Sequence, residues 1–427
     1  RMSAPLRVLI VTDSFPPNCG GSGWSTWELT RGLGVRGHDV RVVHVEIGRP
    51  AGVFTRTYES QPVTTFRVDV PNVPFVRNRL KNERLWARLG DHLTRSIRER
   101  PVDVIHAQHV MTTVPSIRAG TAAGVPVVAT VRDYWPVCYW SDLIYDPSQP
   151  QLCPACSARM MLRCVQPRAG LATPAAWPLI PYMRANLRTK RTTLASARAV
   201  IAVSSAIARD LRQRAPELAG TEIVTIPNPI DMAALDAAYD AAEPPLAGPY
   251  VLYAGKLAVN KGVQFLVPAM TRAGLRWPLV VVGDGPWRGA LERDARAAGV
   301  DLRVMGWRGR DDVWAWMRHA AVLAFPSYGP ESLSRVLIEG AALGAPIAAM
   351  DTGGTRDIVT SRVTGLLSSD VDGFARDLAE LARDRTLAAS LGAAARADVH
   401  DRFAATAVVA RIEQVYRQLI DASAGAA

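Results

Sequence analysis

Short apolar runs recur along the chain, and most are followed by turn residues and then by a segment with helical periodicity. The first half contains six such runs: RVLIVT, DVRVVHV, VDVIHAQ, VPVVATV, AVIAVS and VTIPN. The second half contains six more: PYVLYAG, PLVVVGDG, LRVMGW, AVLAFPS, PIAAMD and TGLLSS. Continuous Val-, Ile- and Leu-rich runs are typical of strands buried on both faces, and their alternation with helices indicates parallel sheets. The pattern therefore predicts two doubly wound, Rossmann-like α/β domains.

The chain length and a change in composition predict where these domains divide. The 427 residues are too many for one ordinary core. Apolar periodicity lapses and Pro, Ala and Gly accumulate in Asn228–Pro249. We expect an N-terminal domain over 1–228, a C-terminal domain over 229–405, and a final helix over 406–427 that packs back on the first domain. Open α/β sheets bind ligands at the carboxyl ends of their strands, so the expected ligand site is the cleft between the domains.

Charge and hydropathy limit the kinds of partner. The net charge of +11 favours anionic partners such as nucleotide phosphates, nucleic acid or an acidic membrane face. No apolar run approaches the roughly 20 residues that span a bilayer, so we expect a cytoplasmic protein, soluble or peripheral to a membrane. The basic segment Arg77–Arg100 carries apolar residues at helical spacing. It either lies on an anionic bilayer or packs its apolar stripe on the sheet while its arginines face water.

The segment YGPESLSRVLIEG, Tyr328–Gly340, contains two glutamates that flank the start of a predicted helix. Glu331 and Glu339 are eight positions apart. At helical rise this is about 12 Å, the span from a donor sugar across a diphosphate to a ribose. The free N–H groups of a helix N-terminus favour phosphate between them. One glutamate is thus placed to bind sugar hydroxyls and the other ribose hydroxyls; two solvated glutamates on an ordinary helix are the alternative.

Glycine turns follow several of the predicted strands. PPNCGGSGW, with Gly20 and Gly21, allows the backbone to approach a phosphate closely. It lacks the spacing of a dinucleotide-binding fingerprint, so a nicotinamide cofactor is not expected. GKLAVNKG offers Lys256 and Lys261 as point charges for a diphosphate.

Two further turns, at Gly283 in VVVGDGPW and at Gly306–Trp307 in VMGW, are placed near the same site, the second to frame a base. In chain order, GKLAVNKG, VVVGDGP, VMGW, FPSYGPESLSRVLIEGAALGAPIAAMDTGG and VTGLLSS closely resemble the signatures of the retaining glycosyltransferases of the GT-B fold, family 4. The first half resembles the same family through the Gly20–Gly21 turn, DVIHAQH, VVATVRDYW, AVIAVSS and IPNPID. The resemblance implies an enzyme that moves a sugar from a UDP-, GDP- or ADP-type donor to a hydroxyl of a lipid-linked or small-molecule acceptor.

The resemblance also implies roles at the matched positions. The residues that would hold the donor are Lys256 and Lys261 at the diphosphate, Glu331 at the sugar, Glu339 at the ribose, and the backbone N–H groups of Ser332, Leu333 and Ser334. Gly21 would let the first domain close over the phosphates. Retention would follow a front-face path, in which the acceptor hydroxyl attacks from the side that the nucleotide leaves and the leaving phosphate oxygen takes the proton. No catalytic metal is expected, because the lysines and the helix N-terminus can stabilise the diphosphate charge.

One departure from the family pattern lies after the VVATV strand, where many relatives have histidine and this chain has Arg132. Arginine cannot act as a general base, but it binds anionic or hydroxyl-rich groups. The substitution suggests an unusual donor sugar, such as one with a carboxylate, or an altered acceptor side. In DVIHAQH, we expect His106 to be structural and His109 to face the acceptor.

Residues 137–182 interrupt the strand–helix alternation and contain four of the five cysteines. Cys138, Cys153, Cys156 and Cys164 form one C-x2-C pair with a single cysteine on each side, which is compatible with a structural zinc site. An iron–sulfur cluster, four reduced thiols packed as small apolar groups, and two disulfides are the alternatives. A metal here would order the acceptor-side loop and take no part in the chemistry.

Two other classes of protein share some of these features. A GT-B nucleotide-sugar epimerase or phosphorylase would have the same fold, but the paired glutamates and lysines favour transfer and no lysine signature for a pyridoxal cofactor is present. A basic, zinc-containing nucleic-acid-binding protein would account for the charge and the cysteines, but the basic residues do not interleave with aromatics in a recognisable module. The expected partners are therefore a nucleotide sugar and a hydroxyl acceptor. Peripheral contact with an anionic membrane stays open, and nucleic acid is not expected.

Overall fold

The computed structural model of the chain describes residues 4–73, 77–146 and 152–424. Residues 147–151 of the predicted insertion and 425–427 of the predicted C-terminal segment lie outside these ranges. The strands are β1 (Arg7–Thr12), β2 (Asp39–Ile47), β3 (Gly52–Tyr58), β4 (Gln61–Val68), β5 (Val104–Ala107), β6 (Val127–Val131), β7 (Ala199–Ala202), β8 (Ile223–Thr225), β9 (Val251–Ala254), β10 (Leu279–Val282), β11 (Leu302–Gly306), β12 (Val322–Phe325), β13 (Ile347–Met350) and β14 (Leu366–Ser368). The α-helices are α1 (Gly21–Val35), α2 (Arg77–Glu99), α3 (Val110–Ala123), α4 (Ala158–Ala169), α5 (Thr173–Ala176), α6 (Ile180–Leu194), α7 (Ser205–Arg214), α8 (Met232–Ala241), α9 (Leu266–Arg272), α10 (Arg288–Ala298), α11 (Arg310–His319), α12 (Arg335–Ala342), α13 (Val371–Arg383), α14 (Arg385–Phe403) and α15 (Ala405–Ala424).

The chain divides into two compact units. The first takes in residues up to Asp142, Pro154–Ile230 and the chain from Ala405 onward; the second takes in Leu143–Cys153 and Asp231–Ala404. Each unit has its own sheet and its own buried core. All twelve strands predicted from the apolar runs are present, so the predicted doubly wound α/β fold is confirmed.

The sheet of the first unit has the order β3-β4-β2-β1-β5-β6-β7-β8. Its pairs are parallel except for β3 with β4, which form an antiparallel hairpin at one edge. The sequence did not predict this hairpin. Its turn residues, Glu59 and Ser60, both have positive φ (43° and 70°), a conformation that usually takes Asn-Gly or Asp-Gly. Without that signal, the hairpin is not visible in the sequence.

The C-terminal helix α15 belongs to the first unit. Val408, Val409, Ile412 and Tyr416 join the core formed by β1 and α1. Gly32 of α1 faces Val409 so closely that an added Cβ would lie 2.7 Å from a Val409 methyl. The small residue therefore sets the distance between the two helices.

The sheet of the second unit is entirely parallel, with the order β11-β10-β9-β12-β13-β14. Strands β10 and β11 lie on one side of β9, and β12, β13 and β14 lie on the other. The direction of winding therefore reverses between β9 and β12. In the first unit the same reversal occurs between β1 and β5. Crevices at such reversals, beyond the carboxyl ends of the strands, are the usual ligand sites of open α/β sheets.

Helix α2 resolves the two interpretations of the basic segment Arg77–Arg100. Its apolar stripe is buried within the first unit: Leu85, Trp86, Leu89, Leu93 and Ile97. The stripe packs mainly against α3 instead of the sheet, and it is not available to a bilayer. Within the described residues, no helix combines the length and apolar character that a membrane span requires.

Candidate functional site

In the second unit, Glu331 forms an ion pair with Lys261. The Lys261 Nζ lies 2.5 Å from Glu331 Oε1, and Ser327 Oγ donates to the same oxygen at 2.6 Å. Glu331 is buried, whereas about a third of the lysine side chain is exposed. An ammonium has three donors, so Lys261 can hold Glu331 and still bind a second anion. The fold thus brings together the residues predicted to contact a donor sugar and its diphosphate.

Two glycines allow the loops around this pair to approach each other. Gly262, next to Lys261, has φ +70°, and an added Cβ would lie 1.8 Å from the carbonyl oxygen of Pro326. Gly353 has φ +51°, and its Cβ would lie 2.0 Å from the carbonyl oxygen of Glu331. Gly354 N–H donates to that same carbonyl at 2.7 Å. The loops that follow β9, β12 and β13, three adjacent strands, are therefore in backbone contact.

Helix α12 begins at Arg335, so only half of the spacing between Glu331 and Glu339 is helical. The expected distance of about 12 Å applied helical rise to all eight positions, but the first four lie before the helix. Ser334 caps the helix, because its Oγ accepts from Leu337 N–H at 3.3 Å. Among the described residues, no protein acceptor takes the backbone N–H groups of Ser332, Leu333 or Ser334. Those N–H groups are available to an anion, as a helix N-terminus favours.

Glu339 lies inside α12 and is buried. Arg335 Nε donates to Glu339 Oε1 at 2.6 Å, and the arginine side chain is nearly as buried as the carboxylate. This pair holds one carboxylate oxygen. Arg335 therefore keeps the Glu339 carboxylate in place.

The glycine turns after β9 and β10 lie together. Gly255 N–H donates to Val282 O at 2.9 Å, and Gly283 N–H donates to Gly306 O at 2.8 Å. Lys256 is exposed beside them, and Tyr253 Oη donates to its carbonyl at 2.9 Å. Trp307 is 78% exposed, so the packing of this unit does not use its indole ring.

In the first unit, His109 lies between two carboxylates. Its Nδ1 is 2.9 Å from Asp13 Oδ2 and its Nε2 is 2.9 Å from Asp133 Oδ2. Burial would lower the pKa of His109, but the two carboxylates raise it to about 10. The imidazolium in turn holds the pKa of Asp13 below its ordinary value, although burial would raise it. With both nitrogens donating, His109 is a cation that positions Asp13 and Asp133 and has no lone pair for a proton.

Arg132 follows β6 and is buried, with 7% of its surface exposed. Its Nε donates to Asn228 Oδ1 at 2.9 Å and its Nη1 to the carbonyl of Gln108 at 2.8 Å. Burial lowers its pKa to about 10, and the field of Asp13 opposes that shift. Among the described residues the guanidinium has no carboxylate within ion-pair distance. A buried cation with neutral partners is a natural site for an anion.

Gly20 and Gly21 lie at the start of α1, with Gly20 in an extended conformation as the N-cap. Both are exposed, and no side chain caps the helix. His106, by contrast, is fully buried. Its ring nitrogens lie 2.5 Å from Tyr416 Oη and 2.6 Å from Thr130 Oγ1, as expected of a structural histidine.

The four clustered cysteines form no disulfide. Cys138 and Cys156 form a hydrogen bond. This hydrogen bond and burial raise the pKa of the Cys156 thiol. Cys164 Sγ instead donates to Met161 O at 3.4 Å. Over residues 4–73, 77–146 and 152–424, no group of three or more His, Cys, Asp or Glu is arranged to hold a metal ion. The thiols as placed do not fit the predicted zinc site, which includes Cys153, and that prediction is not confirmed.

Several site residues were not found from the sequence: Asp13, Asp133, Ser327 and Arg335. Asp13 directly follows β1, and Asp133 lies two positions after the end of β6, so a rule that examines every polar residue near a strand end would have found them. Ser327 and Arg335 lie within the Glu331 motif but carry no separate signal.

Comparison with known proteins identifies the family. The model described as Glycosyl transferases group 1 matches residues 248–384. The model described as Glycosyltransferase Family 4 matches residues 19–234, more than half of the chain. The chain belongs to glycosyltransferase family 4. The resemblance seen in the sequence is therefore confirmed.

Curated relatives of this family 4 glycosyltransferase act on different molecules by name. D-inositol 3-phosphate glycosyltransferase of Xylanimonas cellulosilytica is 29% identical over 59% of this chain and 69% of its own length. 2-Deoxystreptamine N-acetyl-D-glucosaminyltransferase of Niallia circulans is 31% identical over 36% of this chain and 41% of its own. Phosphatidyl-myo-inositol mannosyltransferase of Mycolicibacterium smegmatis is 32% identical over 47% and 53%. The matches thus span about half the length of these relatives.

Solved structures establish the fold of this family 4 glycosyltransferase as GT-B. Sucrose-phosphate synthase from Thermosynechococcus elongatus has a TM-score of 0.71 at 19% identity, over 97% of this chain and 100% of that one. Anabaena HepE in complex with UDP-glucose has a TM-score of 0.66 at 18% identity, over the same shares of the two chains. At these identities the likeness concerns the fold alone.

Proposed function

We propose that this chain is a retaining glycosyltransferase that moves a sugar from a nucleoside-diphosphate donor to a hydroxyl of a lipid-linked or small-molecule acceptor, without a catalytic metal. The observation that carries the proposal is the ion pair of Lys261 and Glu331 beside the unbonded N–H groups that precede α12. A relative crystallised with UDP-glucose and relatives named as glycosyltransferases support a nucleotide-sugar donor.

On the donor side, the second unit supplies a cationic cradle for the diphosphate. Lys256 and Lys261 would contact the phosphates with their ammonium groups, and Ser332, Leu333 and Ser334 with their N–H groups. These donors are fixed before the reaction, so they stabilise negative charge as it develops on the leaving diphosphate. Gly283, Gly306 and Trp307 would lie against the nucleoside, and Glu339 would accept from the ribose.

Glu331 would bind the hydroxyls of the donor sugar. Ser327 and Lys261 hold one carboxylate oxygen, and these contacts fix the position of the side chain. A carboxylate in this place orients the anomeric carbon toward the acceptor. Its contribution is therefore to turnover more than to nucleotide affinity.

The reaction would follow a front-face path. The acceptor oxygen forms a bond to the anomeric carbon on the same face from which the diphosphate oxygen departs, so the configuration is retained. The acceptor proton passes to the departing phosphate oxygen, and no side chain is required as the base. This agrees with His109, whose two nitrogens both donate to carboxylates.

On the acceptor side, the first unit contains a cavity of about 300 Å³. Its aromatic walls are Tyr139, Trp140 and Tyr182, and its polar rim includes Asn78, Arg77 and Arg168. Aromatic faces bind the apolar faces of rings, and the rim supplies donors. We assign this cavity to the acceptor.

Arg132 would bind an anionic group of one of the two substrates. Its charge lacks a carboxylate partner in the described chain and lies within the field of Asp13. A donor sugar that carries a carboxylate, or an acceptor with an anionic group, would supply the partner. Asp13, Asp133 and His109 would support that group from the neighbouring strand ends.

The test is a panel of UDP-, GDP- and ADP-sugars with lipid-linked and small-molecule acceptors, with products identified by mass spectrometry. The expected result is transfer, with the anomeric configuration of the donor retained by NMR and the rate unchanged by EDTA. An isomerised sugar nucleotide without transfer would indicate an epimerase. Phosphate-dependent release of a sugar phosphate would indicate a phosphorylase. An inverted product or loss of activity in EDTA would contradict the mechanism.

A further inference from the structure

The connection between α4 and α6 has an unusual distribution of charge. No charged residue occurs over 169–183, which reads AGLATPAAWPLIPYM, and Arg168 and Arg184 border it. No acidic residue occurs between Asp146 and Asp210, a stretch that contains nine basic residues. An apolar segment within a purely basic surrounding is unlike the mixed charge of an ordinary protein surface.

The structure exposes this apolar segment. Helices α4 and α6 contact each other, with α5 between them, so 170–179 forms the tip of a helical hairpin. Leu171 at the tip is fully exposed, at 104%, and Trp177 is 48% exposed. Pro174 and Pro178 are exposed as well. The tip thus presents a leucine and an indole to solvent, where a monomeric soluble surface seldom groups large apolar side chains.

The two helices that carry the tip also carry unpaired arginines. Arg159 and Arg163 are four residues apart on α4, and Arg184 and Arg188 are four apart on α6, so each pair lies on one face of its helix. All four are exposed. None has a carboxylate within ion-pair distance in the described chain. Their charges are therefore directed to solvent.

We propose that the tip formed by 169–183 inserts into the interface of an anionic bilayer, with Arg159, Arg163, Arg184 and Arg188 on lipid phosphates. Leucine and tryptophan lower their free energy at the boundary of headgroups and acyl chains, and arginines are attracted to an anionic leaflet. Apolar insertion and charge attraction together give the two signals that stable peripheral binding requires. The surface is distinct from α2, whose apolar stripe is buried.

The proposal also bears on the acceptor, and this part rests on the proposed function. Val165, Ala169, Ala176, Leu179 and Met183 line the assigned acceptor cavity, and all five belong to the same hairpin. Docking of the tip would place the cavity at the membrane surface. An acceptor carried by a lipid is then the class that can reach it, in preference to a free metabolite.

The test is co-sedimentation of the full chain with vesicles of phosphatidylcholine alone and of phosphatidylcholine with phosphatidylglycerol. We expect binding to the anionic vesicles that weakens as salt is raised. Leu171→Asp with Trp177→Asp should reduce binding more than tenfold, and each Arg→Gln change among the four arginines should reduce it by about fivefold. Val35→Asp is the matched control, because Val35 is 85% exposed at the end of α1 and should leave binding unchanged.

Three outcomes would overturn the proposal. They are absence of binding to anionic vesicles, equal binding by the double aspartate variant, and self-association in the absence of lipid that this variant abolishes. Circular dichroism and thermal unfolding of each variant separate loss of binding from loss of fold. Binding of UDP, GDP or ADP to the same samples tests the donor site separately, so failure at the membrane and failure of the proposed function are distinguishable.

Discussion

In both units, an acidic and a basic residue meet at the strands where the direction of winding reverses. The two pairs differ in whether a ligand can still reach them. In the second unit, Lys261 and Glu331 lie 70 residues apart and follow β9 and β12, the adjacent strands at which the winding reverses. In the first unit, Asp13 and His109 lie 96 residues apart and follow β1 and β5, the equivalent strands. Both reversals thus hold an acid and a base in direct contact.

The two clusters differ in the hydrogen-bond donors that remain available to a ligand. Lys261 keeps about a third of its side chain exposed, and the N–H groups of Ser332, Leu333 and Ser334 have no acceptor within the described part of the chain. His109 instead donates from both nitrogens to carboxylates. The second unit therefore has donors available for an anionic ligand, whereas the first has a closed triad that orients two carboxylates. Variants of each cluster should affect different measurements.

Glu331→Gln should produce the largest effect. The variant loses the carboxylate that orients the donor sugar, and we expect turnover to fall by about 100-fold or more, which is on the order of 3 kcal/mol of transition-state stabilisation. Calorimetric affinity for the nucleoside diphosphate should change little. Glu380→Gln, in the exposed pair with Arg362, is the control. A fully active Glu331→Gln variant would show that this carboxylate takes no part in the reaction.

Gly262→Ala should destabilise the loop that carries Lys261. Its φ of +70° and a backbone oxygen 1.8 Å from the added Cβ both oppose the substitution, and we expect a loss of about 3 kcal/mol in urea unfolding. Gly274→Ala is a matched control, because Gly274 has φ +65° with open space around it. It should cost only about 1 kcal/mol. Equal losses in the two variants would show that close approach of the loops is unimportant.

Strand positions were predictable because a buried parallel strand needs a continuous apolar run, as in VLIV and VVVG. Strand order was not, because one chain gives no sign of which strand ends become neighbours. His109 and Arg132 were therefore recognised, while their partners Asp13 and Asn228 were not. His109 was assigned to the acceptor side from its place in DVIHAQH, and the sequence did not reveal the carboxylates on both sides of its ring.

The Glu331–Glu339 motif was predictable as a local pattern, but its geometry was not. The sequence does not specify that α12 starts at Arg335, since Ser332 and Ser334 are both acceptable caps. The β3–β4 hairpin was missed because its turn residues are Glu59 and Ser60. The zinc site at the four cysteines stays a prediction. Their spacing is compatible with zinc, but spacing does not fix the directions of the Sγ atoms.

Glu339→Gln should weaken nucleotide binding. Alanine would remove the Glu339 contact of the buried Arg335 guanidinium. Glutamine keeps an oxygen for that contact and isolates the loss of charge. We expect a loss of about 1–3 kcal/mol in affinity for UDP, GDP or ADP, measured by calorimetry. Inorganic diphosphate has no ribose, so its affinity should not change. An equal loss for both ligands would place Glu339 at the phosphates instead.

His109→Gln should have the smallest effect, and one that depends on pH. The folded pKa of about 10 lies above the ordinary value of 6.5, so the protonated ring stabilises the fold fully below pH 6.5 and loses this contribution as pH rises toward 10. We expect the variant to be less stable than the parent by on the order of 2 kcal/mol at pH 6 in urea unfolding, with the difference shrinking toward pH 10. His92→Gln is the control, because burial and Arg95 lower the pKa of His92. Any effect of that ring on stability therefore changes only below pH 6.5. A difference between parent and His109→Gln that is constant from pH 6 to pH 10 would mean that Asp13 and Asp133 do not bind an imidazolium, and the contrast between a closed first cluster and an open second one would fail.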